Sequence, residues 1–200
     1  MEEVFDMISV VLSSIAIIGH VIAFVIYNKQ MLKGESRPNA ATWSIWVLGV
    51  GLNCATYIVM SGDIIKALIL LAGSLGCTWT FFFSLFKGKL TRLNPWDIVA
   101  MIIGFFASFV WWHYRNATMA NMILQIPIVI SFLPTYRGII RNPRNEKALP
   151  WFLWSGAYLL TIFTVILRWQ DKPLDLVNPI NYLFLHAGIG LFAQRKKLPS

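Results

Sequence analysis

Apolar residues fill seven long runs along the chain, and polar residues collect in the short stretches between them. The runs cover positions 4–27, 40–60, 64–86, 96–112, 119–140, 149–167 and 176–192. Each is close to the roughly 20 residues that an α-helix needs to cross a bilayer. Backbone N–H and C=O groups in hydrocarbon must find partners within their own segment, and the runs lack the two-residue alternation of a barrel strand. The pattern therefore predicts an all-α integral membrane protein with seven transmembrane helices.

Composition strengthens that expectation. Hydrophobic residues make up 57% of the 200 positions and charged residues 13%, where a soluble domain carries about 25% charged residues. Seven spans use nearly the whole length, so positions 1–200 form one membrane domain with no separate soluble unit. The start, MEEVFDM, is acidic and shows no small-residue cleavage site, so the first run reads as a permanent span, not a removable signal.

Charge orients the spans. Threading them alternately puts thirteen basic residues on one side, from Lys29 and Lys33 through Arg137, Arg141 and Arg144 to Lys197, and only Lys66, Arg115, Arg168 and Lys172 on the other. Basic loops stay in the cytosol. The N-terminus is thus expected outside and the C-terminus inside, in a multi-pass cell-membrane protein. The net charge of +8 is spent on these loops, so nucleic acid is not an expected partner. Cys54 and Cys77 fall within apolar runs, away from any disulfide or metal-ligand pattern.

The chain also repeats itself. A shift of 108 positions superposes Ala40, Trp43, Trp46, Leu52, Ile58, Asp63 and Leu68 on Ala148, Trp151, Trp154, Leu160, Ile166, Asp171 and Leu176. The ends of the second and third runs then fall on those of the sixth and seventh, and the first falls on the fifth with a one-residue gap. Four spans separate the copies, so both have the same orientation. The expected arrangement is two parallel three-helix repeats, 1–87 and 118–200, joined by a linker helix within 88–117.

Here the chain resembles the SWEET and PQ-loop superfamily of seven-helix membrane proteins. The best local match is SFLPTYRGIIRNPRNEKALPWFLW at 131–154, with a proline near the end of one helix, a basic loop and a Trp-bearing next helix. Thr135 stands where the family carries glutamine, and the first repeat, HVIAFVIYNKQ, has no proline. The resemblance implies a solute pocket lined by polar and Trp residues of the second, third, sixth and seventh helices, which brings in Trp79.

Enzyme signatures are lacking: His20, His113 and His186 have no HExxH spacing, and no GxSxG elbow or phosphate-binding Gly loop occurs. No cofactor or metal is indicated. A transport site in mid-membrane would use neutral polar and aromatic groups, which exchange hydrogen bonds with a solute at small desolvation cost. Asn53 and Tyr57 are four apart and share a helix face, as do Tyr158 and Thr161, three apart. Thr78 and His186 are repeat equivalents near the middle of their spans, and Asn181 lies nearer the outer end. Each Asn, Thr or Tyr serves equally well as a contact between helices, worth about 0.6 kcal/mol on average. An ionisable residue deep in a span, such as His186 or His20, is a functional candidate by default.

Trp43 and Trp151, about three residues into their helices, are expected in the interfacial aromatic belt. Trp46 and Trp154, one turn deeper, are candidate gates, and Gly19, Pro127 and Pro134 candidate hinges. The expected function is an alternating-access facilitator for a small neutral polar solute such as a sugar or a nucleoside-like vitamin precursor. The alternative is a receptor or scaffold of the same fold that binds without transporting. The expected partners are that solute and the lipid bilayer, and a homo-oligomer is compatible with the pattern.

Overall fold

The computed structural model describes residues 2–36, 40–87 and 95–195. These residues form seven α-helices and no strands: α1 Glu2–Leu32, α2 Ala40–Ser61, α3 Ile64–Lys87, α4 Pro95–Tyr114, α5 Ala117–Arg141, α6 Ala148–Leu167 and α7 Val177–Ala193. Each helix coincides with one apolar run to within a few residues. The largest difference is at the end of α1, which continues through Asn28, Lys29 and Gln30 to Leu32. Lys29 points out to the surface while Asn28 is buried and donates to the Phe24 carbonyl and Thr80 Oγ1, so loss of apolar character does not mark the end of the helix.

Local chemistry sets the turns. Gly62 takes a positive φ of 68°, which a Cβ would disfavour, and this lets α2 reverse into α3 across two residues. Asp63 Oδ1 then accepts a hydrogen bond from the Ile65 N–H at 3.0 Å, capping the start of α3. Asn116 does the same for α5, accepting from the Met119 N–H at 2.9 Å. The α5 helix runs unbroken through both Pro127 and Pro134.

Five helical stretches among the described residues are long and apolar enough to cross a membrane: α1, 64–86 of α3, α5, α6 and 173–193, which contains α7. The described residues of α2 and α4 include further apolar stretches at 46–61 and 101–114. The outer surface carries large apolar side chains such as Val11, Ile18, Phe105 and Phe184, a belt that suits hydrocarbon and not water.

Packing follows a crossed plan. The α1 helix lies against α3 and α6, and α5 lies against α7 and α2; α2 also packs on α3, and α6 on α7. Each of the first three helices thus has a counterpart four elements later with matching neighbours. The α4 helix stands apart from this plan, leaning on α5 and touching α2. The core sits where α1, α2, α5 and α6 meet, and it is built mainly of aromatic rings.

Candidate functional site

A cavity of about 260 Å³ occupies the centre of the helix bundle. All seven helices contribute to its wall, through His20 of α1, Trp46 of α2, Cys77 of α3, Phe105 of α4, Phe132 of α5, Trp154 of α6 and His186 of α7. These side chains meet because each lies on the inward stripe of its helix. Tyr182 and His186 are four residues apart on α7 and share a face, as do Trp154 and Tyr158 on α6.

The rings interlock. Tyr158 stacks on Tyr182 at 4.8 Å and on His186 at 5.4 Å, and His20 meets Tyr158 edge-on at 5.5 Å. Gly73 makes room for the imidazole: a Cβ at that position would stand 3.2 Å from His20 Nε2. His186 Nδ1 lies 2.7 Å from the Tyr182 carbonyl oxygen. A carbonyl only accepts, so Nδ1 carries the hydrogen and Nε2 of the singly protonated ring presents a lone pair. Three buried polar atoms of wall residues, His20 Nδ1, Trp154 Nε1 and Tyr182 Oη, have no protein partner. Buried polar atoms are normally satisfied, so these three have hydrogen-bonding capacity to spare.

Matched contacts frame the chamber. Phe24 and Phe132, Trp43 and Trp151, and Trp46 and Trp154 are each 108 positions apart. The Phe24 and Trp154 ring centroids are 5.0 Å apart, and those of Phe132 and Trp46 5.1 Å. Phe24 to Trp43 and Phe132 to Trp151 are both 6.4 Å. The same contact is therefore made twice, with the partners exchanged between the two halves of the chain.

Both ends of the chamber are closed, by different chemistry. At the end holding the α1 N-terminus, Lys66 Nζ and Asp175 Oδ2 form an ion pair at 2.9 Å, each side chain 1% exposed. Arg168 is paired with both Asp6 and Asp63, the latter at 2.6 Å, and Lys172 Nζ donates to the Ser61 carbonyl at 2.8 Å. At the opposite end Trp46 Nε1 donates to Ser131 Oγ at 2.6 Å. There the Glu146 carboxylate, buried in the loop before α6, accepts from Tyr27 Oη at 3.2 Å and from Trp151 Nε1 at 3.3 Å. Burial pushes the Glu146 carboxyl up to about 7, against the pull of its hydrogen bonds from Trp151, Tyr27 and Ser36.

Of the candidate solute residues, Tyr158 and His186 line the chamber, as do Trp46, Trp154 and Pro127 among the candidate gates and hinges and His20 beside them. The others lie elsewhere. Asn53 is fully buried in a polar knot, its Oδ1 accepting from Asn121 and Asn178, both at 2.9 Å, and from Gln125 at 3.4 Å. Asn181 Nδ2 donates to Gln125 Oε1 at 3.1 Å. Tyr57 Oη donates to the Asp175 carbonyl at 2.8 Å, at the ion-paired end. Thr78 and Thr161 donate to carbonyls of their own helices, Ser74 and Ala157, so the equivalents Thr78 and His186 do not meet in the chamber. Trp79 is 65% exposed on the outer surface, because it stands two positions, about 200° around the helix, from Cys77, which lines the cavity. Gly19 is half-buried with open space where a side chain would be, and Pro134 is half-buried outside the chamber.

The belt expected of Trp43 and Trp151 is replaced by burial: they are 2% and 1% exposed, locked against Tyr27. Tyr27, the last residue of the first apolar run, packs on both rings, and Trp151 Nε1 is held by Glu146. Lys66, counted among the outer-side basic residues, lies buried in the first turn of α3 at the end holding the α1 N-terminus. Several wall residues were not singled out from the sequence. Phe24 and Phe132 carry the repeat spacing and are recoverable from it, and Tyr182 is one turn from His186; Glu146, a lone acid in a basic loop, carries no such signal. Among the described residues no three His, Cys, Asp or Glu side chains gather to hold a metal ion. No family model, curated protein or solved structure matches the chain.

Proposed function

We propose that the chain spans the cell membrane seven times, N-terminus outside, as two parallel three-helix repeats (1–87 and 118–200) joined by a linker helix. It works as an alternating-access facilitator for a small uncharged solute that offers hydrogen bonds. The observation that carries this reading is the chamber itself, lined by α1, α2 and α3 together with α5, α6 and α7, with α4 at its flank. The contacts made twice at a spacing of 108 support the repeats, and the resemblance to the SWEET and PQ-loop superfamily agrees with them.

Rocking of one repeat against the other opens a central site to each side in turn. The two end closures suit that motion, since both join helices of different repeats: Lys66 of α3 to Asp175 before α7, and Tyr27 of α1 to Glu146 before α6. Solute bound to His20, Trp154 and His186 replaces water in hydrogen bonding to them. An uncharged solute fits, because the described wall carries no acid, lysine or arginine to compensate a buried charge.

Purified protein reconstituted in liposomes takes up members of a panel of sugars and nucleosides if the proposal holds. Folded protein that moves none of them overturns it. A binding-only receptor is the second reading, favoured by the buried Lys66–Asp175 pair, which resists opening of its end; saturable binding without uptake selects it.

A further inference from the structure

The central cavity does not end at the aromatic chamber. It continues sideways between α2 and α4, where Leu48 and Gly49 face Met101, Gly104 and Phe105. Leu48 and Phe105 are 65% and 67% exposed, so in a bilayer this side opens onto hydrocarbon, not water. Gly49 and Gly104 widen the passage from opposite walls, with open space where a Cβ would stand on either. Among the described lining residues of the groove the one hydroxyl, Ser108, is already bonded to the Gly104 carbonyl at 2.9 Å. Such a groove offers a ligand no hydrogen bonds and holds no ordered water.

The two ends of the cavity thus ask for opposite chemistry. The inner end has unpartnered polar atoms on His20 and Trp154 and the bare Nε2 of His186; the outer end has only apolar walls and a lipid-facing mouth. We infer that the cavity binds an uncharged amphiphile, its hydrogen-bonding head against His20 and Trp154 and its hydrocarbon chain lying between α2 and α4. A wholly polar solute leaves the groove unfilled, and an alkane leaves the inner polar atoms unpaired. A charged head finds no counter-charge among the described lining residues. The inference rests on the chamber being the solute site, and it names the class of that solute.

The test uses the full chain in lipid nanodiscs with a medium-chain monoacylglycerol that carries a diazirine on its chain. Photolysis is expected to label residues within 48–52 and 101–108, saturably and in competition with unlabelled monoacylglycerol. Gly104→Leu fills the groove and is expected to lower that labelling about tenfold, as steric mismatch in an apolar pocket does. Gly156→Leu, at an open and exposed glycine of α6, is expected to leave it unchanged. Trp154→Phe keeps an aromatic ring and removes the donor, and weakens labelling by the monoacylglycerol but not by a headless diazirine alkane. Labels spread over lipid-facing residues such as Val11 and Phe184, equal in wild type and Gly104→Leu, overturn the inference. Uptake of the water-soluble panel is measured on the same proteins. Intact uptake beside absent groove labelling removes the amphiphile and keeps the transport reading, and groove labelling without uptake does the converse.

Discussion

Asp175→Asn leaves the Lys66 ammonium buried with no counter-charge. The two side chains are 2.9 Å apart and each is 1% exposed, so water screens the pair little. At an effective dielectric of about 20 the attraction at that distance is about 6 kcal/mol, most of it offset by the cost of removing both ions from water. The net worth of the pair is small, whereas stranding one partner costs about 3–5 kcal/mol. Lys66→Met strands the carboxylate with the same effect. The double variant Lys66→Met/Asp175→Leu is expected to recover most of the loss, since it buries neither charge. Reversible unfolding in mixed micelles, titrated with a denaturing detergent, measures all three. Single losses under about 1 kcal/mol, the size of an exposed pair, or a double variant as unstable as the sum of the singles, would refute the reasoning.

Three further outcomes follow from the same geometry. Asn53→Ala strands the buried amide donor of Asn178, while Asn121 keeps the Asn53 carbonyl and Thr56 Oγ1, and is expected to cost about 1–3 kcal/mol by the same titration; a neutral result would leave Asn53 free for solute. Gly76→Ala places a Cβ against the Phe24 ring, and overpacking there is expected to cost about 1–3 kcal/mol and to reduce uptake, because Phe24 is part of the chamber wall; Phe24→Leu in the same chain should relieve it. Glu146 has a folded-state pKa raised from 4.5 to about 7, so the folded protein holds its proton more tightly than the unfolded chain. Its contribution to stability is complete below pH of about 4.5 and is lost as pH rises to about 7. Glu146→Gln is expected to flatten that part of the unfolding profile, and an unchanged slope excludes Glu146 as its source.

Helix positions were legible because hydrocarbon imposes a simple rule, apolar side chains over a span's length with charges at its ends, and the seven runs obey it. Rotation about each helix axis was not. Outside a membrane core the polar face of a helix points to water, but in a bilayer both faces are apolar, so Cys77 and Trp79 are equally good candidates until packing selects one. His20, Tyr158 and His186 were found because polar groups in mid-span have few places to go. Asn53 and Thr161 passed the same filter and went to interhelical and intrahelical hydrogen bonds instead. Trp43 and Trp151 failed for the same reason as Trp79: depth along a helix does not give rotation about it, and both rings turn inward onto Tyr27 rather than outward to a belt. Lys66 and Asp175 show the limit of charge counting, which treats every basic residue near a span end as solvated and cannot see a partner 109 positions away.

Cys77 lies on the chamber wall and can report the central claim directly. In a Cys54→Ala background it is the sole remaining thiol, and a membrane-impermeant thiosulfonate applied to oriented, sealed vesicles tests its access from each side. Alternating access predicts modification from both faces, slowed by transported solute, with loss of uptake in proportion to the thiol modified. Modification from one face only, or from neither while uptake continues, would contradict it.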